Sequence, residues 1–364
     1  MPVSQLPAGL EQLGWDEELE HHFQEYRELA LVPGRVAVEH RGMYAVGTDD
    51  GDLWAELAGK LRHEAVGRGE LPAVGDWVAL KSRPGGRATI HAVLPRRTKI
   101  SRKVNLAEAE EQVLAANVDT VLLVTSLNRD LNIRRLERYL ATAWESGAQP
   151  AIVLNKADLC PVEERAELVM QVEAIAFGVP VHTVSAATAE GVDELEPYVG
   201  TGRTVVFLGS SGVGKSSLIN RLIGEERLAT NEIRAGDDRG RHTTTHRELI
   251  GLPNGGLVID TPGLRELQLW ESSEGMTEAF GDVEQLAQEC RFSDCEHETE
   301  PACAVREAIR NGTLARERLD SYRKLQRELA RLERRRDARL VSLERKKWRT
   351  FSKQQRSNPK TRRR

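Results

Sequence analysis

At 364 residues, 40% hydrophobic and 30% charged with a formal net charge of −4, the chain is long enough for two to four domains with real cores. No apolar run approaches the roughly 20 residues of a membrane span, and Met1 to Trp15 lacks the basic and apolar regions of a signal peptide. A cytoplasmic protein with no membrane partner is therefore expected, its four cysteines serving as thiols or metal ligands rather than disulfides.

Residues 1–31 read as a polar N-terminal extension, helical in character from Leu10 to Leu29. Over 32–97 the runs Val36-Ala-Val38, Tyr44-Ala-Val46, Trp77-Val-Ala-Leu80 and Ile90-His-Ala-Val-Leu94 are short and β-like. Turn signals at Asp49-Asp-Gly51, Val74-Gly75-Asp76 and Pro84-Gly-Gly86 separate them, which predicts a small antiparallel barrel of OB-fold type. Residues 98–270 change to alternating strands and helices. Val121 to Val124, Ala151 to Leu154, Val181 to Val184, Val205 to Leu208 and Leu257 to Ile259 read as buried parallel strands. Ile133 to Trp144, Val162 to Ala176 and Ser217 to Ile223 read as the helices between them. That alternation predicts a doubly wound α/β domain. A Cys/His cluster then marks a module over 271–312, and a basic helical region fills 313–364.

Gly209-Ser210-Ser211-Gly212-Val213-Gly214-Lys215-Ser216 matches G-x-x-x-x-G-K-S, follows a strand and opens a helix, with Ser217 next in that helix. Glycines there let backbone N–H groups close on phosphates, and the helix N-terminus adds partial positive charge. Lys215 is expected to reach the β- and γ-phosphates and Ser216 to hold Mg²⁺. Asn155-Lys156-Ala157-Asp158 selects the base: the Asp158 carboxylate can accept from both guanine N1–H and N2–H₂, a donor pair adenine lacks. Lys156 would cover the base and Asn155 would tie this loop to the phosphate loop. Ser185-Ala186, at the end of another strand, matches the backbone element that faces guanine O6.

Asp260-Thr-Pro-Gly263 fits the D-x-x-G switch, with Asp260 meeting Mg²⁺ through water and the Gly263 N–H sensing the γ-phosphate. Between the two phosphate segments lies Thr243-Thr244-Thr245, of which Thr244 is assigned to Mg²⁺ and to catalysis, flanked by the Gly- and charge-rich run Arg234 to Arg241. In common GTPases the base-reading segments come last. Here they come first, so the domain is circularly permuted, which a compact fold tolerates.

In this order, and in Gly209 to Leu218, Gly240-Arg-His-Thr-Thr-Thr-His246 and the downstream cysteines, the chain resembles the ribosome small-subunit-dependent GTPase A family (RsgA, also called YjeQ) over about residues 32–350. The resemblance implies an OB-fold barrel, a zinc module, and GTP hydrolysis to GDP stimulated by the small ribosomal subunit during its late maturation, with that subunit and its rRNA as partners. It also implies that His242 is catalytic, which adds to the roles that the phosphate-loop and switch positions give Lys215 and Thr244. Leu264 stands where many GTPases place a water-orienting Gln, and His246 is the rival to His242. Two other readings stay open at this point: a GTPase acting on another RNA, and a GTP-gated RNA-binding scaffold with negligible turnover. A monomer is expected.

Cys290-x₄-Cys295-x-His297-x₅-Cys303 places three thiolates and an imidazole within 14 residues, the donor set of one closed, structural Zn²⁺ site. Cys160 stands apart and reads as a small packed side chain. From Arg316 to Arg364 the chain holds 20 Lys+Arg against 6 Asp+Glu, leaving 32 bases and 50 acids elsewhere. Tyr322, Leu325, Leu329 and Leu332 give this region one apolar helical face. A basic tail on an acidic body points to nucleic acid before membrane, although a solvated charged helix has the same composition. Trp348 can stack on a base or pack on the protein.

Overall fold

A computed structural model gives the fold, and it describes residues 6–7, 9–40, 42–65, 67–83, 87–103, 111–128, 131–228, 247–260, 273–330 and 334. The chain divides into two compact units. One comprises Met1–Trp270 with Glu274–Asp282, and the other Glu271–Ser273 with Val283–Arg364.

In the first unit β1 (Val32–His40), β2 (Met43–Thr48), β3 (Gly51–Leu57), β4 (Trp77–Arg83) and β5 (Arg87–Val93) form a barrel in the order β1-β2-β3-β5-β4, closed by β1 pairing with β4. Val36, Val46, Ala55, Val78, Leu80 and Ile90, each 0% exposed, fill its interior. The expected all-antiparallel barrel differs at one pair: β3 and β5 run parallel, Leu57 opposite Ile90. Between β3 and β4 the chain forms a short helix (Gly59–Glu64) and then returns to β1, so β5 is left to close the gap alongside β3.

The N-terminal segment is packed rather than appended. Asp16 caps α1 (Glu17–Glu28) by accepting from Leu19 N–H at 3.1 Å, and Leu13, Leu19 and Phe23 are at most 2% exposed. Trp15 sets its ring edge-on to Trp77 of the barrel, centroids 4.9 Å apart. Beneath it the buried Arg35 guanidinium donates to the backbone carbonyls of Leu13, Gly75 (3.2 Å) and Asn117 (2.9 Å), joining extension, barrel and the strands beyond. Burial pulls its pKa down to about 10. Gly75 (φ +92°) is required at this junction, since a Cβ there would meet Ala116 O at 2.1 Å.

A hairpin, β6 (Lys99–Lys103) with β7 (Glu111–Ala116), leads into the α/β domain. Its sheet runs β10 (Val181–Thr183), β9 (Gln149–Asn155), β8 (Thr120–Ser126), β11 (Thr204–Leu208), β13 (Leu257–Asp260), β12 (Glu248–Gly251). All pairs are parallel except β12–β13. The central strands are continuous apolar runs because both faces are covered; Val121 to Leu123 and Val205 to Val206 are 0% exposed. Strand order reverses between β8 and β11, so the crevice for a ligand lies at their carboxyl ends. One bridge, Val38 opposite Glu248, also joins the barrel to the β12 edge.

In the second unit, a helical stretch over 316–330 turns Leu319, Tyr322, Leu325 and Leu329 inward, each at most 8% exposed; Tyr322, Leu325 and Leu329 belong to the expected face, and Leu332 lies outside the described residues. Tyr322 donates to Glu284 Oε1 at 2.6 Å.

Candidate nucleotide site and metal site

Three expected segments, and Asp260 at the head of the fourth, emerge from strand ends on one side of the sheet, while residues 261–263 lie outside the described residues. The P-loop connects β11 to α2 (Lys215–Ile223), with Gly214 (φ +96°) as the residue that turns into the helix. Gly209 and Gly214 are there for closeness: a Cβ would come 2.2 Å from Val124 O in the first case and 2.2 Å from Asn155 Nδ2 in the second. Lys215 Nζ donates to the carbonyls of Gly209 and Ser210, 2.7 Å each, and so lies along its own loop.

Asn155 is the joint between the segments. Its Nδ2 donates to Val213 O at 2.8 Å in the P-loop, and its Oδ1 accepts from Ala186 N–H at 3.0 Å in the S-A loop. With 1% exposure it makes both bonds away from water. Asp158 is exposed at the mouth of the same loop, and its Oδ1 accepts from Ser185 Oγ at 2.6 Å, which fixes the carboxylate's rotation. Lys156 holds a left-handed backbone (φ +65°), which sets its stem off the strand direction. At the end of β13, burial pushes the Asp260 carboxyl up to about 6, against the pull of Lys215 and with a push from Glu248. A half-buried carboxylate opposite the first turn of α2 suits a divalent cation.

The arrangement contains groups the sequence reading did not single out. Arg221 of α2 donates to Ala186 O (3.0 Å) and Ala187 O (3.1 Å), bracing the S-A loop. Arg135, in α3 (Ile133–Glu145), donates to Ser210 Oγ at 2.7 Å, and Tyr139 lies 3.4 Å from the same oxygen. Their only sequence signal is helical position, since neither belongs to a motif. His242, Thr244, Gly263, Leu264, His246 and Trp348 lie outside the described residues. A cavity of about 400 Å³ opens beside Ala186, Ser217 and Arg221. A larger one, about 500 Å³, lies at the opposite ends of the strands by Trp15, Arg35, Asp119 and Thr204, remote from the phosphate loop.

In the second unit Cys290, Cys295, His297 and Cys303 bring one ligand atom each within 4.8 Å of one another. Cys290 Sγ lies 3.8 Å from Cys303 Sγ and 3.5 Å from His297 Nδ1, and His297 Nδ1 lies 3.4 Å from Cys303 Sγ. Metal–sulfur bonds of about 2.3 Å in a tetrahedron put neighbouring sulfurs roughly 3.8 Å apart, so the edges fit a four-coordinate metal ion. Arg306 N–H donates to Cys303 Sγ at 3.4 Å.

A family model described as RsgA GTPase matches residues 93–270, and one described as 50S ribosome-binding GTPase matches residues 204–342. The small ribosomal subunit biogenesis GTPase RsgA of Opitutus terrae is 50% identical over 358 residues, 96% of this chain and 97% of that protein. The protein of the same name from Syntrophotalea carbinolica is 50% identical over 331 residues, 88% and 90% of the two chains. Among solved structures, YjeQ from Thermotoga maritima superposes with TM-score 0.63 at 29% identity, covering 82% of this chain and 99% of that one. YloQ, described as a circularly permuted GTPase, gives 0.60 at 25% identity over 82% and 95%.

Proposed function

The chain belongs to the RsgA GTPase family and is a GTP hydrolase, and on that premise we propose that the small ribosomal subunit stimulates it and that it acts late in that subunit's maturation. The observation that carries the nucleotide reading is the pair of hydrogen bonds from Asn155, which ties phosphate loop and base-reading loops into one cradle. The names of relatives that match almost the whole chain support the ribosomal partner. The proposed division is an extension over 1–31, a barrel over 32–97, the GTPase domain over 98–270, a metal module over 271–312 and a basic region over 313–364 that adds phosphate contacts. A cytoplasmic monomer suits this reading.

In the proposed mechanism Asp158, its rotation fixed by Ser185, accepts from guanine N1–H and N2–H₂, while Lys156 lies over the base. Backbone N–H groups of Ser210 to Ser217 surround the phosphates, and Lys215 leaves its own loop carbonyls for the β- and γ-oxygens. Mg²⁺ held by Ser216, Thr244 and, through water, Asp260 would supply charge to those oxygens. The Gly263 N–H marks the γ-phosphate. His242 hydrogen-bonds the attacking water in place of the Gln that Leu264 replaces, help worth about 10²–10⁴-fold. The metal of the second unit is proposed as one structural Zn²⁺, since three thiolates and an imidazole leave no open position.

The test is GTP turnover by the full chain with and without purified small subunits. Slow basal and many-fold faster stimulated hydrolysis are expected, and His242→Ala should keep GTP binding and lose most of the stimulated rate. Turnover indifferent to subunits would refute the partner, and negligible turnover in both arms would favour the scaffold reading. Stimulated turnover within about twofold of the parent in His242→Ala, with the loss in His246→Ala instead, would move the role to His246.

A further inference from the structure

Helix α4 (Val162–Glu173) follows the base-reading loop directly, and among the described residues it is the least covered helix of the GTPase domain: of its residues only Val172 is buried. Four of the seven large hydrophobic side chains that are exposed among the described residues lie on it or its flanks. They are Leu159 (65%), Val162 (73%), Met170 (61%) and Phe177 (75%). At about 100° per residue, Val162, Ala166 and Met170 share one exposed stripe with half-buried Val169 at its edge, Glu173 lies within the stripe, and Glu163 and Glu167 run along its border. Glu164 adds one more exposed carboxylate.

From this surface we infer that α4 is a docking face for a protein segment that carries apolar anchors among basic side chains. The inference rests on the ribosomal reading above and names the kind of subunit component that meets this helix. An acidic border repels phosphates, so RNA is the wrong partner here. A second copy of the chain is also disfavoured, because a self-complementary interface would set the same glutamates against one another. Basic residues with interspersed apolar anchors answer both halves of the stripe. The face is wired to the nucleotide loops. Arg165 of α4 donates to Ala157 O at 2.7 Å, in the base-reading loop, and to Glu190 Oε1 at 2.8 Å, beyond the S-A loop. Glu190 O in turn accepts from Ser185 N–H at 2.9 Å. A segment seated on α4 therefore bears on both loops that would hold guanine.

The experiment uses the full chain and purified small subunits. Val162→Ser, Met170→Ser and Phe177→Ser together alter only exposed side chains outside the nucleotide site. Melting temperature, GDP affinity and basal turnover should match the parent, while subunit affinity falls at least tenfold and stimulation falls with it. In parallel, Ala166→benzoylphenylalanine should on illumination form an adduct with a basic subunit protein, resistant to ribonuclease and lost to proteinase. An adduct on RNA, on a second copy or within the chain itself would overturn the inference, as would subunit binding by the triple variant within twofold of the parent. Failure of the parent chain to bind subunits would bring down the ribosomal reading and this partner with it. Binding by the parent that the triple variant shares would sink the α4 face alone.

Discussion

Asn155 offers the sharpest test of how the cradle is built. Asn155→Ala deletes two hydrogen bonds and strands two backbone groups, the Val213 carbonyl and the Ala186 N–H, in residues that are 7% and 9% exposed. Each stranded buried group costs about 1–3 kcal/mol. The loops lie at the surface end of the sheet and can relax toward water, so the low end applies, about 2–3 kcal/mol for the pair. If nucleotide binding must restore that order, affinity weakens by roughly 30- to 150-fold at 1.4 kcal/mol per decade. Titration with a fluorescent GDP analogue reads the affinity, and thermal unfolding without nucleotide reads the stability. Asn155→Asp is the informative partner. It keeps an acceptor for Ala186 N–H but sets a carboxylate against the Val213 carbonyl, so it should be no better than Ala. GDP affinity within threefold of the parent in Asn155→Ala, with an unchanged melting temperature, would refute the idea that this side chain holds the site together.

Asp158→Asn should cost guanine nucleotides about 1–3 kcal/mol or more, because an amide cannot accept from both guanine donors; competition between GDP and ADP measures it, and unchanged GDP affinity would remove Asp158 from base recognition. Asp260→Asn should abolish turnover yet stabilise the nucleotide-free protein. Burial raises the Asp260 carboxyl from 3.8 to about 6, so the folded state binds the extra proton between those values and the ionised group costs stability above them. That cost reaches about 3 kcal/mol at pH 7.5 and shrinks to about 1 at pH 4.5. Urea midpoints of parent and variant at the two pH values check both sign and size. Elemental analysis should find one zinc per chain, and chelation should melt the Cys290-to-Cys303 region while GDP binding persists; a folded second unit without metal would contradict this.

The parallel strands and the loops at their ends could be read from sequence because both signals are local: an apolar run, then a motif with a fixed spacing. What escaped depends on distant partners. β3, Gly-Asp-Leu-Trp-Ala-Glu-Leu, opens with turn-forming residues and is half exposed, so it lacks an alternating pattern. β12 is four residues long and exists because β13 and the barrel strand β1 flank it. Packing of the extension was illegible for the same reason. Leu13, Leu19 and Phe23 look like an ordinary amphipathic helix until Trp77 and Arg35 are brought beneath them. In the site itself, the bracing by Arg221 and Arg135 follows from where two helices end up in space. The Cys/His cluster could be read because its four ligands lie close together in the chain.

The permuted strand order also dictates a schedule of synthesis. β8 lies at the centre of the finished sheet between β9 and β11, but β11 ends at Leu208, 82 residues after β8 ends at Ser126. At about 5–20 residues per second, the ribosome exposes β8 with only β9 to pair for some 4–16 s. During that interval its apolar far edge is an open template for another chain. The base-reading loops emerge before any phosphate loop exists to receive Asn155, so GTP cannot help the first half to fold. Ligand-assisted folding of this domain is thus confined to the time after Ser217 has been made, and a nascent chain stalled between residues 126 and 208 is the form most exposed to aggregation.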